Sequence, residues 1–196
     1  PGHTEIFTSL THAQRSCMLQ YSSEVRCVFA TTHLPYAEVP AALTQERILD
    51  TLELGAQAMR RIRRSEPQIG VLGLNPHAGE HGLFGKEEET VIAPAIEAAR
   101  ANGFEVEGPI PPDTAFLPTK RRETDLFVCM YHDQGHIAIK MHNFADSITA
   151  TMGIPFVRTS VDHGTAFDIA GKNLANAEGL AQALDAAIMM INGTLV

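Results

Sequence analysis

The chain has 196 residues, 44% of them hydrophobic, and a formal net charge of -8. That length buries a real core in one or two globular domains, and the acidic balance argues against bulk nucleic-acid binding. No apolar run nears the roughly 18 residues a membrane span needs, and no basic region followed by an apolar stretch reads as a secretory leader.

The chain opens Pro1-Gly2-His3-Thr4-Glu5 without an initiator methionine and reads as a fragment. From Glu24 to Thr32 the run Val25-Arg26-Cys27-Val28-Phe29-Ala30 predicts a buried strand that ends in a Pro-punctuated turn carrying His33. Leu43 to Arg64 has apolar residues at Ile48, Leu52, Ala56, Met59 and Ile62, the period of an amphipathic helix. Its basic end, Arg60 to Arg64, reads as a solvated C-terminus favoured by the helix dipole. Gln68 to Leu74 is a second strand, followed by Asn75-Pro76-His77-Ala78-Gly79. A helix over Glu87 to Asn102, a short strand at Phe104 to Val106 and a rigid loop at Gly108 to Thr114 come next. Asp125 to Met130 is a third apolar strand, running into Tyr131-His132-Asp133. Beyond Phe144 the reading is a Gly/Pro stretch, a polar loop from Arg158 to Gly171, and a helix from Glu178 to Ile191. Strands alternating with helices predict an α/β fold of βαβ units and a largely parallel sheet, with ligands beyond the strands' carboxyl ends.

Nine histidines against three tyrosines are the feature to explain. One histidine after a strand is ordinarily a polar loop residue. Three strand-end histidines, His33, His77 and His132, are candidate ligands for a divalent metal that leaves a coordination position open for a substrate oxygen. Asp113 and Asp133 are the carboxylates placed to take a hydroxyl proton or to orient an imidazole, although Asp113 also suits turn initiation after Pro112. Lys140 and Arg158 leave apolar segments and are candidate phosphate partners, with snorkelling surface cations as the alternative. His3 and Thr4 could add donors to the same anion. There is no GxGxxG. His163-Gly164 through Asp168 to Asn176 instead forms a loop of small residues suited to a flat cofactor, with Asp168 available to the ribose hydroxyls, which favours NAD over NADP. Three cysteines without CxxC spacing, Cys17, Cys27 and Cys129, suit a reducing cytoplasm.

Gly2-His3-Thr4-Glu5, Ala30-Thr31-Thr32-His33-Leu34-Pro35, Gly73 to Glu80, Met130 to Gly135 and Arg158 to Ala166 occur in order along nearly the whole chain. They resemble the 4-hydroxythreonine-4-phosphate dehydrogenase family of pyridoxal phosphate biosynthesis, whose fold is that of the isopropylmalate and isocitrate dehydrogenases. The resemblance implies that His33, His77 and His132 bind zinc, cobalt, manganese or magnesium, and that His3, Thr4, Lys140 and Arg158 hold substrate. It implies a homodimer with metal ligands drawn from both chains, and Asp168 and Asn176 near the adenosine. The implied reaction oxidises the C3 hydroxyl of 4-phosphooxy-L-threonine with NAD to a β-keto acid that loses carbon dioxide. Residues 1 to 143 then correspond to the second, metal- and substrate-binding and dimerising domain, and 144 to 196 to the returning part of the first, NAD-binding domain, whose N-terminal portion is missing. Thr149 stands where the family places a substrate-binding asparagine. The segment Gln134-Gly135-His136-Ile137 is closer to sister branches that act on threonate or erythronate 4-phosphate or on an aromatic dihydrodiol. A truncated, catalytically silent metal-binding dimerisation domain and a phosphoester metallohydrolase are the readings from other classes.

Overall fold

The computed structural model describes residues 2–63, 65–143 and 147–192. Arg64, the end of the basic run, and Phe144, the first residue of the expected returning part, lie outside them. The strands are β1 (Cys17–Tyr21), β2 (Arg26–Phe29), β3 (Ile69–Leu72), β4 (Val106–Ile110), β5 (Leu126–Cys129), β6 (Ile148–Met152) and β7 (Arg158–Val161). The helices are α1 (His3–Thr11), α2 (Val39–Ala42), α3 (Gln45–Arg63), α4 (Ala93–Ala101), α5 (Pro112–Ala115), α6 (Pro118–Glu123), α7 (His132–Asn143) and α8 (Glu178–Asn192).

All seven strands form one mixed sheet in the order β4-β3-β5-β2-β1-β6-β7. One half is parallel, through β3 with β4, β3 with β5 and β2 with β5. The other half, β2-β1-β6-β7, is antiparallel. The βαβ units that alternation predicted build the parallel half, and the sheet then runs on through β6 and β7.

Period-2 alternation sends successive side chains of a strand to opposite faces. Val28, Leu126 and Val128 therefore join one buried cluster with Ile48, Leu52 and Met59 of α3, Ile96 of α4 and Ala183 of α8. Cys27, Phe29, Phe127 and Cys129 join the other cluster with Ile139 of α7 and Ala115 of α5. Both faces are covered, as a parallel sheet requires. The first turn of α3 is capped by the Thr44 hydroxyl, which accepts from the Arg47 backbone N–H at 3.0 Å. The helix then seats so close to the sheet at Gly55 that a Cβ there would lie 2.7 Å from Leu126 Cδ2.

Several expectations are corrected. The strand placed at Phe104 to Val106 begins at Val106 and runs through Pro109, inside the stretch read as rigid loop. Its place at the sheet edge explains this, because an edge strand tolerates a residue that cannot donate to the ladder. The loop expected from Arg158 contains β7 at the opposite edge. The Ile137 to Lys140 run, read as an apolar segment, lies in α7.

Candidate active site

The strands β3, β5 and β2 are consecutive in the sheet, and one of the singled-out histidines follows the end of each, His33 and His77 on turns and His132 as the first residue of α7. His33 and His132 meet, with ring centroids 5.8 Å apart. They line a cleft of about 320 Å³ together with Thr32, Leu34, Tyr36, Val39, Tyr131 and Asp133. His33 Nδ1 is 3.2 Å from Glu5 Oε2, and Glu5 Oε1 accepts from the Thr32 hydroxyl at 2.8 Å. His132 Nδ1 is 2.6 Å from Asp133 Oδ1. A carboxylate can only accept, so each pair fixes the proton on Nδ1 and leaves a lone pair on Nε2, the arrangement a metal-binding imidazole uses. Burial acts to raise the Glu5 carboxyl, but hydrogen bonds from Thr32, its own backbone and His33 outweigh it and hold the group below the usual range.

His77 stands apart. It lies on the 3-10 turn Pro76–Gly79, exposed, with its ring 5.8 Å from Phe84. Among the described residues no group of three or more His, Cys, Asp or Glu is placed to hold a metal ion. A single chain thus brings together two of the three candidate ligands. Asp113 is exposed in the first turn of α5, which packs against the turn carrying His77.

The candidate substrate residues come from four elements, α1, α7, β6 and β7. Thr4 of α1 is buried, its hydroxyl 3.3 Å from that of Thr151 on β6. Thr149, two residues back on the same strand, donates to Asp162 Oδ1 at 3.5 Å. Lys140 Nζ lies 3.9 Å from Asp162 Oδ2. His3 stacks on Phe7 at 6.3 Å, and the Arg158 guanidinium lies 5.7 Å from the same ring. Burial lowers the Arg158 pKa from its ordinary value. Phe7 thus joins His3 to Arg158, while Asp162 joins Lys140 to Thr149.

Sequence reasoning missed Glu5, Asp162 and His136. Asp162 is buried just beyond β7; burial pushes its carboxyl up, against the opposing pull of Lys140, Ser147, Gln20 and Thr149. His136 stacks between His132 at 3.8 Å and Phe29 at 5.0 Å. Among the described residues neither of its buried ring nitrogens has a hydrogen-bond partner, and Nδ1 is 3.9 Å from Asp162 Oδ1. Burial, then the charges of His132 and Lys140, push its pKa down to about 3. His132, His136 and Lys140 are four residues apart in turn and share one face of α7. That signal was available once the segment was read as a helix.

His163, Gly164, Asp168 and Asn176 all lie exposed on the loop between β7 and α8. His163 Nδ1 is 2.9 Å from the Gly164 carbonyl oxygen. Asn176 has a local task, accepting from the Glu178 backbone N–H at 2.9 Å as α8 begins.

Residues 1–187 match the family described as pyridoxal phosphate biosynthetic protein PdxA. The 4-hydroxythreonine-4-phosphate dehydrogenase of Desulforapulum autotrophicum is 46% identical over 96% of this chain and 56% of its own length. The D-threonate 4-phosphate dehydrogenase of Salmonella typhimurium is 42% identical over 97% of this chain and 58% of its own length. A crystal structure of 4-hydroxythreonine-4-phosphate dehydrogenase from Klebsiella pneumoniae superposes with a TM-score of 0.84 at 42% identity, over 97% of this chain and 58% of that one. The chain therefore spans less than two thirds of the length of the relatives it matches. The match over residues 1–187 and the identity to these relatives show that the chain belongs to the pyridoxal phosphate biosynthetic protein PdxA family.

Proposed function

We propose that the whole-length protein is an NAD-dependent dehydrogenase that oxidises the C3 hydroxyl of 4-phosphooxy-L-threonine to a β-keto acid, which then loses carbon dioxide. The observation that carries this reading is the pair His33 and His132, each held through Nδ1 by a carboxylate, beside the row Thr4, Thr149 and Lys140. The donor set suits a divalent metal, zinc, cobalt, manganese or magnesium, because two imidazoles present Nε2 and a third ligand, His77, is free on an exposed turn. When bound, such an ion would supply Lewis acidity toward an alcohol oxygen, and the nicotinamide cofactor would supply the hydride acceptor.

The chain's own groups do the remaining work. Asp133 and Glu5 orient the two imidazoles, and Asp133 or Asp113 takes the hydroxyl proton. Lys140, Arg158, His3, Thr4 and Thr149 hold the phosphate and carboxylate. His163, Gly164, Asp168 and Asn176 are assigned to the nucleotide. Because His77 stands apart from His33 and His132 in one chain, we assign the third ligand to a second copy in a homodimer. Leu10 of α1 and Ile137 and Met141 of α7, all exposed and apolar, support such a face. The division at residue 143 is a proposal about the longer protein; in this chain β6 pairs with β1 and continues the sheet across it. No helix among the described residues is long and apolar enough to cross a membrane, and we assign the protein to the cytoplasm.

A second reading, oxidation of a phosphorylated four-carbon sugar acid, is favoured by Thr149 at the position of the expected asparagine and by the name of the Salmonella relative. The test is NADH formation by the whole-length protein with 4-phosphooxy-threonine and with threonate 4-phosphate. Each is run with and without chelator, and with His33, His77 and His132 each changed to alanine. Chelator-sensitive turnover lost in all three variants supports the reading, and the preferred acid selects the substrate. Turnover that survives chelator and all three changes refutes it.

A further inference from the structure

The turn that carries His77 is conformationally costly. His77, Ala78, Glu80 and His81 have φ of 52°, 50°, 40° and 54°, and Gly79 and Gly82 have 81° and 83°, so six consecutive residues are left-handed. In L-residues this conformation drives Cβ against the following carbonyl, and a run of such residues persists only where the surroundings impose it.

One buried side chain does so. Glu88 is the first residue of the π turn Glu88–Ile92 that leads into α4, and it is 3% exposed. Its Oε1 accepts from the backbone N–H groups of Leu74 and Asn75, both at 2.7 Å. Its Oε2 accepts from Asn75 Nδ2 at 2.9 Å, and the same amide donates to Glu87 Oε2 at 2.7 Å. The carboxylate thus holds the two residues where β3 gives way to the turn. At the far side Gly79 packs onto it so closely that a Cβ would lie 2.7 Å from Glu88 Oε2. Glu88 therefore touches the turn at its start and at Gly79, with His77 between them. A π turn is itself a strained feature that recurs at functional sites.

We propose that Glu88 is a positioning residue for His77: its buried carboxylate, accepting three N–H donors, holds the left-handed turn that presents the imidazole to the metal. This rests on the reading of His77 as a metal ligand. Glu88 touches neither metal nor substrate and acts only by fixing where the ring stands, as residues behind a metal ligand commonly do.

The experiment is calorimetric titration of the metal-free, whole-length protein with cobalt(II) in four forms: the parent, Glu88→Gln, His77→Ala and the double variant. Glutamine keeps the volume but sets an NH2 group against N–H donors, and Glu88→Gln is expected to weaken cobalt binding about 10- to 100-fold. In the His77→Ala background the same change is expected to have no further effect, because a residue acting only through His77 has nothing left to position. Ala78→Gly, which relieves one left-handed alanine, is expected to recover part of the loss. Should Glu88→Gln fail to fold, Asn75→Ala removes one of the three donors and is expected to show a smaller loss with the same dependence on His77. Unchanged affinity in Glu88→Gln, or an equal loss with and without His77, overturns the inference while leaving the metal reading in place. A parent that binds cobalt no more tightly than His77→Ala overturns both.

Discussion

Replacing His136 by leucine should make the protein more stable, and more so as the pH falls. The side chain is 9% exposed, and neither ring nitrogen has a hydrogen-bond partner among the described residues. An unpaired buried donor or acceptor costs about 1–3 kcal/mol, whereas leucine at this site leaves nothing to satisfy. The stacking on His132 and Phe29 that is lost is worth about 0.5–1.5 kcal/mol. With two such nitrogens at about 1–3 kcal/mol each set against two such stacked pairs at about 0.5–1.5 kcal/mol each, the balance is a gain of about 1–3 kcal/mol at pH 8, each kcal/mol raising Tm by roughly 2–4 °C in a chain of this size. The pH term adds to it. Burial first, and then His132 and Lys140, lower the His136 pKa from 6.5 to about 3, against the weaker pull of Asp133. Between those values the unfolded chain binds a proton that the folded chain refuses. The parent's stability is therefore full above pH 6.5 and falls toward pH 3, at up to about 1.4 kcal/mol per pH unit. Leucine abolishes that slope, so its advantage at pH 5 should exceed that at pH 8 by about 2 kcal/mol. Urea unfolding of metal-free protein at the two pH values measures both quantities. A variant less stable than the parent at pH 8, or the same difference at both pH values, would show that His136 has partners in the folded state and refute the reasoning.

Glu5→Gln should weaken metal binding about 10- to 100-fold by releasing His33 from its Nδ1 partner, with little change in the urea midpoint, since Glu5 is partly exposed; equal affinity in a metal titration would refute the pairing. Gln134→Ala should cost about 2–5 kcal/mol. The Gln134 amide accepts from the Met130 N–H at 2.7 Å and donates to the Gly73 carbonyl at 2.8 Å, so its loss leaves both backbone groups unpaired where β5 and β3 end. Protection of the Met130 amide in hydrogen exchange should fall with it, and unaltered protection would show that another group takes over.

What could be read from the sequence follows from where physical signals are local. A strand run such as Leu126-Phe127-Val128-Cys129 buries both faces, and its end is where a parallel sheet presents ligands, so His132 could be located without coordinates. The α3 period was visible for the same reason. Two of the carboxylates beside the histidines, Glu5 and Asp162, were not. Glu5 lies 28 residues before His33, on a helix with no strong pattern, and Asp162 lies 26 residues after His136. Only the packing of α1 against β6 and the pairing of β7 with β6 bring these pairs together. The α7 segment failed differently. Gly135 weakens a helix and the β-branched Ile137 and Ile139 suit a strand locally, yet Gly135 sits where a Cβ would lie 2.8 Å from Phe29, so tertiary packing sets the choice. On a strand, residues 132, 136 and 140 would also share a face, so their spacing alone could not decide between the two. What distinguishes them is reach: about 13 Å between successive members on a strand and about 6 Å on a helix. Only the shorter rise lets His132 stack on His136 and Lys140 share Asp162 with that ring. A compact site on this face therefore requires the helix, and the helix is what makes His136 part of it.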